Sequence, residues 1–284
     1  MKSRFWSRNG FSCLILTIKT FKVSDHISVF QSTLWQLNSV ACHYAQTDVI
    51  WDPAYTPDEL LSIQEAIPEV SHFGKFLIYT HGDYDHIVGR PYFEGFTQIG
   101  SDLMEVRQDK SRSLAQLRAI DDEYYIDRSV SLRYPELDML IRPETQSEYR
   151  LGGIDIKFYA AQGHTADGLF SLLPELGLLV AGDYLSNVEF PFIEDTIGHY
   201  HESMDTVKKI LKECKVETMV PGHGTIAYTT KEILNRIDHS TRYLDSLVVP
   251  DIVDWRISWG YSPFESFLDK MHQKNIDYVR SHKI

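Results

Sequence analysis

The run FLIYTHGDYDHIVG, residues 76–89, ends a short apolar stretch in four residues that can bind a metal ion, His81, Asp83, Asp85 and His86. Their spacing divides them into two pairs. In an extended turn, residues 81 and 83 project the same way, as positions i and i+2 do along a strand. Asp85 and His86 follow where a helix could begin, so they can face a second centre. One loop then offers ligands to two ions about 3.5–4 Å apart, the arrangement of two-metal hydrolytic sites.

The same pattern recurs three times further along. Strand-like IDIKFYA runs into AQGHT and His164, LGLLVAGD ends at Asp183, and ETMVPGHG ends at His223. Taken singly, a Gly-His or Gly-Asp pair is an ordinary turn. Repeated at strand ends, where a scaffold presents chemistry, the pattern points to one site. His164 could complete the first centre, His223 the second, and Asp183 could bridge them. A mixed imidazole and carboxylate set suits zinc, iron or manganese and does not suit calcium or magnesium.

These ligands need rigid elements to hold them. The segments HISVFQ, TLWQLNSVAC, TDVIW and KFLIYT read as strands. TPDELLSIQEAI reads as a helix capped by Thr56, with Pro57 in its first turn and Leu60, Ile63 and Ile67 on one face. Residues 101–128 look helical and charged, an insertion able to cover something. ESMDTVKKILKEC is an amphipathic helix, and two more are expected at about 231–248 and 263–280. This alternation points to a layered α/β architecture.

Composition narrows the function. A chain of 284 residues can bury a full core, and its net charge of −12 argues against nucleic acid or an anionic membrane as partner. The three cysteines, Cys13, Cys42 and Cys214, form no disulfide or zinc-ribbon pattern. Inert thiols and a reducing, cytoplasmic location are the expectation. Residues 11–18 imitate a signal peptide, but Lys19 and Lys22 stand where a small-residue cleavage site belongs. Residues 1–21 are therefore expected to be an extension, disordered or adding a strand. Residues 22–230 are expected to form the metal-binding domain, with a helical segment, 231–284, packed on it.

His81-x-Asp83-x-Asp85-His86, Gly163-His164-Thr165, Gly182-Asp183 and Pro221-Gly222-His223-Gly224 together resemble the ordered signature of the metallo-β-lactamase superfamily. The resemblance implies an αββα sandwich with a dinuclear site at one edge. It places His81, Asp83 and His164 on metal one, Asp85, His86 and His223 on metal two, and Asp183 between them. The implied cofactor is two divalent ions, zinc first. The usual pattern has a histidine where this chain has Asp83. A carboxylate there makes a weaker Lewis acid and moves metal preference toward manganese or iron. The flavodiiron branch is similar at this position, although no flavodoxin segment can be recognised in this chain.

The expected activity is that of a dinuclear metallohydrolase in which a metal-bridging hydroxide attacks a small ester, thioester or lactone, with phosphodiesters disfavoured by the acidic balance. Asp85 is the expected catalytic residue, as a ligand that also orients the nucleophile or carries a proton. Two alternatives remain: an iron-dependent oxidoreductase of the same fold, and a non-catalytic metal-binding protein. The expected partner is a small-molecule substrate, with a homodimer as a further option through the aromatic-rich tail. Tyr184 and Ser186 are candidates to touch substrate. His199 and His201 read as loop histidines, and His239 as a structural or surface residue, although DHSTRY resembles a motif of tRNA-processing members. Asn38 occupies a position where the superfamily often has a small polar residue.

Overall fold

A computed structural model describes residues 18–67, 73–144, 147–248, 254–260 and 265–282. Two β-sheets stack face to face, and helices cover both outer surfaces. The first sheet runs in the order β1 (Lys19–Lys22), β2 (Ile27–Gln31), β3 (Asn38–Tyr44), β4 (Thr47–Trp51), β5 (Lys75–Ile78), β6 (Thr97–Ser101) and β7 (Met139–Ile141). Strands β1 to β4 are antiparallel neighbours, and β4 to β7 are parallel. The second sheet holds β8 (Glu148–Leu151), β9 (Ile154–Ala160), β10 (Leu169–Leu173), β11 (Leu178–Val180) and β12 (Thr218–Val220), with β11 and β12 parallel.

The helices are α1 (Pro57–Glu65), α2 (Asp102–Val106), α3 (Lys110–Tyr124), α4 (Ile197–Glu213), α5 (Thr230–Leu247), α6 (Arg256–Trp259) and α7 (Glu265–His282). Apolar side chains divide into three layers that follow from this stacking. Val29, Val40, Val49 and Trp51 of the first sheet meet Ile156, Phe158, Leu169 and Val180 of the second. Leu60 and Ile63 of α1 pack with Ile50 and Leu77 outside the first sheet. Met204, Val207, Ile233, Leu244 and Leu268 from α4, α5 and α7 pack with Phe170, Leu172 and Leu179 outside the second. The result is the αββα sandwich. One buried polar contact joins the sheets, from Trp51 Nε1 to Ser171 Oγ at 3.1 Å.

Several expectations need adjustment. Residues 19–21 of the anticipated extension do add a strand, edge strand β1 with Lys22, and residues 1–17, Cys13 among them, lie outside the described residues. TLWQL is a turn that precedes β3, with Trp35 and Gln36 both at positive φ. Helix α4 begins at Ile197, so His199 and His201 sit in its first turns and not in a loop. Gly198 hides that start in the sequence, but Thr196 caps it by accepting from His199 N. Cys42 is buried, and burial pushes its thiol up to about 12, as expected of an inert cysteine. No helix among the described residues is long and apolar enough to cross a membrane.

The loop after Asp183 is fastened from behind by α7. Asn275, fully buried, donates to Pro191 O (2.7 Å) and the Tyr243 hydroxyl (2.9 Å) and accepts from Ile193 N (3.0 Å). An unpaired buried backbone group costs about 1–3 kcal/mol. Asn275→Ala leaves two such groups, at Pro191 and Ile193, so denaturant unfolding should show a loss of at least about 2 kcal/mol. A loss within error would mean that water replaces the amide.

Candidate metal centre

Strand β5 ends at Ile78, and the chain turns through Thr80 into His81, Asp83, Asp85 and His86. Strand β9 leads to His164, β11 to Asp183, and β12 to His223. All four ends converge, and Asp183 lies in the middle. Its Oδ2 faces one histidine pair, 3.7 Å from His81 Nε2 and 3.4 Å from His164 Nε2. Its Oδ1 faces the other, 3.1 Å from His86 Nε2 and 3.5 Å from His223 Nε2.

Two more carboxylates fill the sets. Asp83 Oδ2 stands 3.7 Å from His81 Nε2 and 3.5 Å from His164 Nε2. Asp85 Oδ2 stands 3.3 Å from His223 Nε2 and 3.9 Å from His86 Nε2. The seven residues named from the sequence lie close together; Asp83 stands beside His81 and His164 but does not join them in a group able to hold an ion.

The fit to metal can be tested on the atoms themselves. Nε2 of His81, His86 and His164, together with Asp183 Oδ1, is buried without a hydrogen-bond partner among the described residues. Buried polar atoms are seldom left this way. Ligand atoms bound at about 2.0–2.2 Å around one tetrahedral ion stand about 3.3–3.6 Å apart, close to the separations found here. His81, His164 and Asp183 form one group able to hold an ion, and Asp85, His86 and His223 another. The residues fit divalent metal.

Each histidine also has its other nitrogen occupied, which turns Nε2 inward. His86 Nδ1 meets Asp52 Oδ2 at 2.9 Å, and His81 Nδ1 meets Thr80 Oγ1 at 3.1 Å. His164 Nδ1 and His223 Nδ1 lie 3.1 Å from the carbonyls of Phe192 and Trp35. The charges answer one another. Burial, together with the neighbouring His86, drives His81 well below the usual imidazole range. At His164 burial opposes the charge, but Asp83 and Asp183 outweigh it and push the group up to about 9.

Asp52 and Glu189 matter here although the sequence did not mark them. Asp52 reads as the start of an Asp-Pro turn, yet its carboxylate also takes Thr80 N and Thr80 Oγ1 at 2.8 and 2.5 Å. Glu189 lies with Asp183 and His223 in a third group of possible ligands. Burial, reinforced by the Asp183 and Asp85 charges and opposed by His223, raises its carboxyl to about 7. The Asn38 amide donates to Pro221 O and Gly224 O, both at 2.9 Å, and so fixes the turn that presents His223.

Tyr184 and Ser186 serve the scaffold. The Tyr184 hydroxyl donates to Ala161 O (2.8 Å) and accepts from His164 N (2.9 Å), while Ser186 Oγ accepts from Val188 N and Glu189 N. His199 pairs with Asp195, and exposed His239 packs beside Trp259; neither joins the ligand groups. Trp255 is buried packing against Phe190, and Tyr261 lies outside the described residues.

Comparison with known proteins agrees with this geometry. The family model described as the metallo-beta-lactamase superfamily matches residues 74–223, over half of the chain. The chain belongs to the metallo-β-lactamase superfamily. Members of this superfamily are mostly metal-dependent hydrolases. No curated protein matches the sequence.

Solved structures share the fold at low identity. A metallo-β-lactamase from Pontibacter korlensis aligns with a TM-score of 0.54 and 16% identity, over 78% of this chain and 99% of that one. VMB-1 gives 0.56 and 16%, over 82% and 99%. A double mutant of the sec-alkyl sulfatase PisA1 gives 0.62 and 13%, over 81% of this chain and 42% of its own.

The Asp183 carboxylate is packed tightly. A Cβ at Gly222 would lie 2.1 Å from Asp183 Oδ1 and 3.0 Å from the Gly182 carbonyl carbon. Gly222→Ala should displace Asp183 and leave fewer than two bound zinc ions by elemental analysis after zinc loading. Two ions bound as tightly as in the parent would show that Asp183 is not shared.

Proposed function

We propose that the chain is a dinuclear metal-dependent hydrolase of a small ester, thioester or lactone. The observation that carries this reading is Asp183, whose two oxygens each face a separate pair of histidines. His81, Asp83 and His164 would hold one ion, and Asp85, His86 and His223 the other. When bound, such ions supply a nucleophile from water at neutral pH and polarise the carbonyl under attack.

The chain's own residues supply position and proton handling. Asp52, Thr80 and the carbonyls of Phe192 and Trp35 hold the four rings in place, so little reorganisation is left to the reaction. Asp85, buried with Oδ2 facing His223, would orient the water and take its proton at the oxygen left free of the ion. Four carboxylates, Asp83, Asp85, Asp183 and Glu189, gather at the site. The chain's net charge of −12 disfavours an anionic phosphodiester relative to a neutral carbonyl substrate.

One observation favours a second reading, an iron-dependent oxidoreductase. Asp83 puts a hard oxygen where a histidine is usual, and Oδ2 faces both His81 and His164.

Elemental analysis of the purified protein, followed by an ester, thioester, lactone and phosphodiester panel, separates the two. The hydrolase predicts two zinc or manganese ions per chain and turnover of at least one carbonyl ester. His164→Ala and His223→Ala should each lose metal and activity together. Iron with a redox-active absorption band would favour the oxidoreductase. Full turnover by either alanine variant would sink the two-centre account.

A further inference from the structure

The insertion between β6 and β7 does more than cover the first sheet. It sends Arg107, from the end of α2, to the loop that carries Asp83. Arg107 Nη2 donates to Asp83 Oδ1 at 2.6 Å, on the carboxylate oxygen that does not face His81 and His164. The guanidinium is itself clamped. Its Nε reaches Asp109 Oδ1 at 2.5 Å, Nη2 reaches Asp109 Oδ2 at 3.4 Å, and Nη1 reaches both Asp167 oxygens at 3.4 Å. These contacts hold all three guanidinium nitrogens on three carboxylates.

Asp167 closes the unit. Its Oδ2 accepts from Gly82 N at 3.0 Å, and its backbone carbonyl accepts from Ser101 Oγ at 2.7 Å. On the far side, the Tyr134 hydroxyl donates to Gly82 O at 3.3 Å. The space over Gly82 is filled by this packing: a Cβ there would lie 2.0 Å from the Tyr134 hydroxyl and 2.8 Å from Asp167 Oδ2. The insertion and the loop between His81 and Asp83 therefore fit as one piece.

We propose that Arg107 is a positioning residue for the first metal centre, and that Asp83 and Arg107 together take the place of the usual histidine. A lone aspartate is shorter than histidine and can turn either oxygen, or neither, toward the ion. Arg107 anchors Oδ1 and so presents Oδ2 between His81 and His164. The adjacent cation also withdraws charge from the carboxylate, which makes Oδ2 a ligand closer to neutral imidazole. Centre one thus depends on a contact across the insertion, while centre two does not.

This inference rests on the metal reading above, and its test separates the two. Metal-free protein is titrated with zinc against a competing chelator for the parent, Arg107→Ala, Asp83→His and the double variant. His164→Ala marks which affinity belongs to centre one. Loss of such a supporting contact typically costs about 10–100-fold in metal affinity, and Arg107→Ala should lose that much at centre one alone. Asp83→His should bind zinc at centre one whether or not Arg107 is present, because a neutral ring has no second carboxylate oxygen for the guanidinium to hold.

Thermal melts of the metal-free proteins show whether each variant folds. If Arg107→Ala does not, the comparison of Asp83→His with the double variant still decides. Parent-like zinc affinity in Arg107→Ala would overturn the proposal. So would a folded double variant that loses centre one although Asp83→His retains it. A parent that binds no zinc, manganese or iron would instead remove the metal reading itself.

Discussion

A half-buried carboxylate between two pairs of buried histidines is the constraint on which the rest of the structure depends. Asp183 cannot be desolvated there without compensation, because an isolated charge out of water is very costly. The four rings and two further aspartates around it need compensation of their own. Three of the rings leave Nε2 without a hydrogen bond among the described residues. Cations would satisfy all these groups at once, and the chain ends arriving from β5, β9, β11 and β12 are what bring them together. Two stacked sheets with their strand ends at one edge meet that demand. The helices outside them bury the apolar faces that the arrangement leaves exposed.

Rigidity then spreads outward through contacts that carry no metal. Asp52 ties His86 to Thr80, Asn38 ties β3 to the turn of His223, and Tyr184 ties Ala161 to His164. Gly163, at positive φ, lets the backbone pass against Tyr200 in the first turns of α4, where a Cβ would lie 2.4 Å from Tyr200 Cα. Asn275 holds the loop that supplies the Phe192 carbonyl. Each tie limits how far a ligand can relax, which is what a preorganised site requires.

The ligands are legible in the sequence because their signal is local. Each follows a short apolar strand, and His81 to His86 sit in one loop. The αββα layering is legible for a related reason: β9 alternates, β4 and β11 are apolar runs, and α5 and α7 keep a helical period. The supporting residues lack such a signal. Asp52 is distant in sequence from His86, Arg107 from Asp83, and Asn38 from Pro221, so their partners exist only after folding. Asp52 resembles a turn residue, Arg107 one charge among many in a polar insertion, and Glu189 an ordinary loop acid. The turn at Trp35 and Gln36 reads as strand because its apolar residues continue into β3. Gly198 conceals the first turn of α4.

The central claim is that two ions share Asp183. Crystals of the protein soaked in zinc, with anomalous diffraction collected on either side of the zinc absorption edge, test it most directly. Two anomalous peaks should flank Asp183, one among His81, Asp83 and His164 and the other among Asp85, His86 and His223. A single peak, or peaks away from Asp183, would contradict the account.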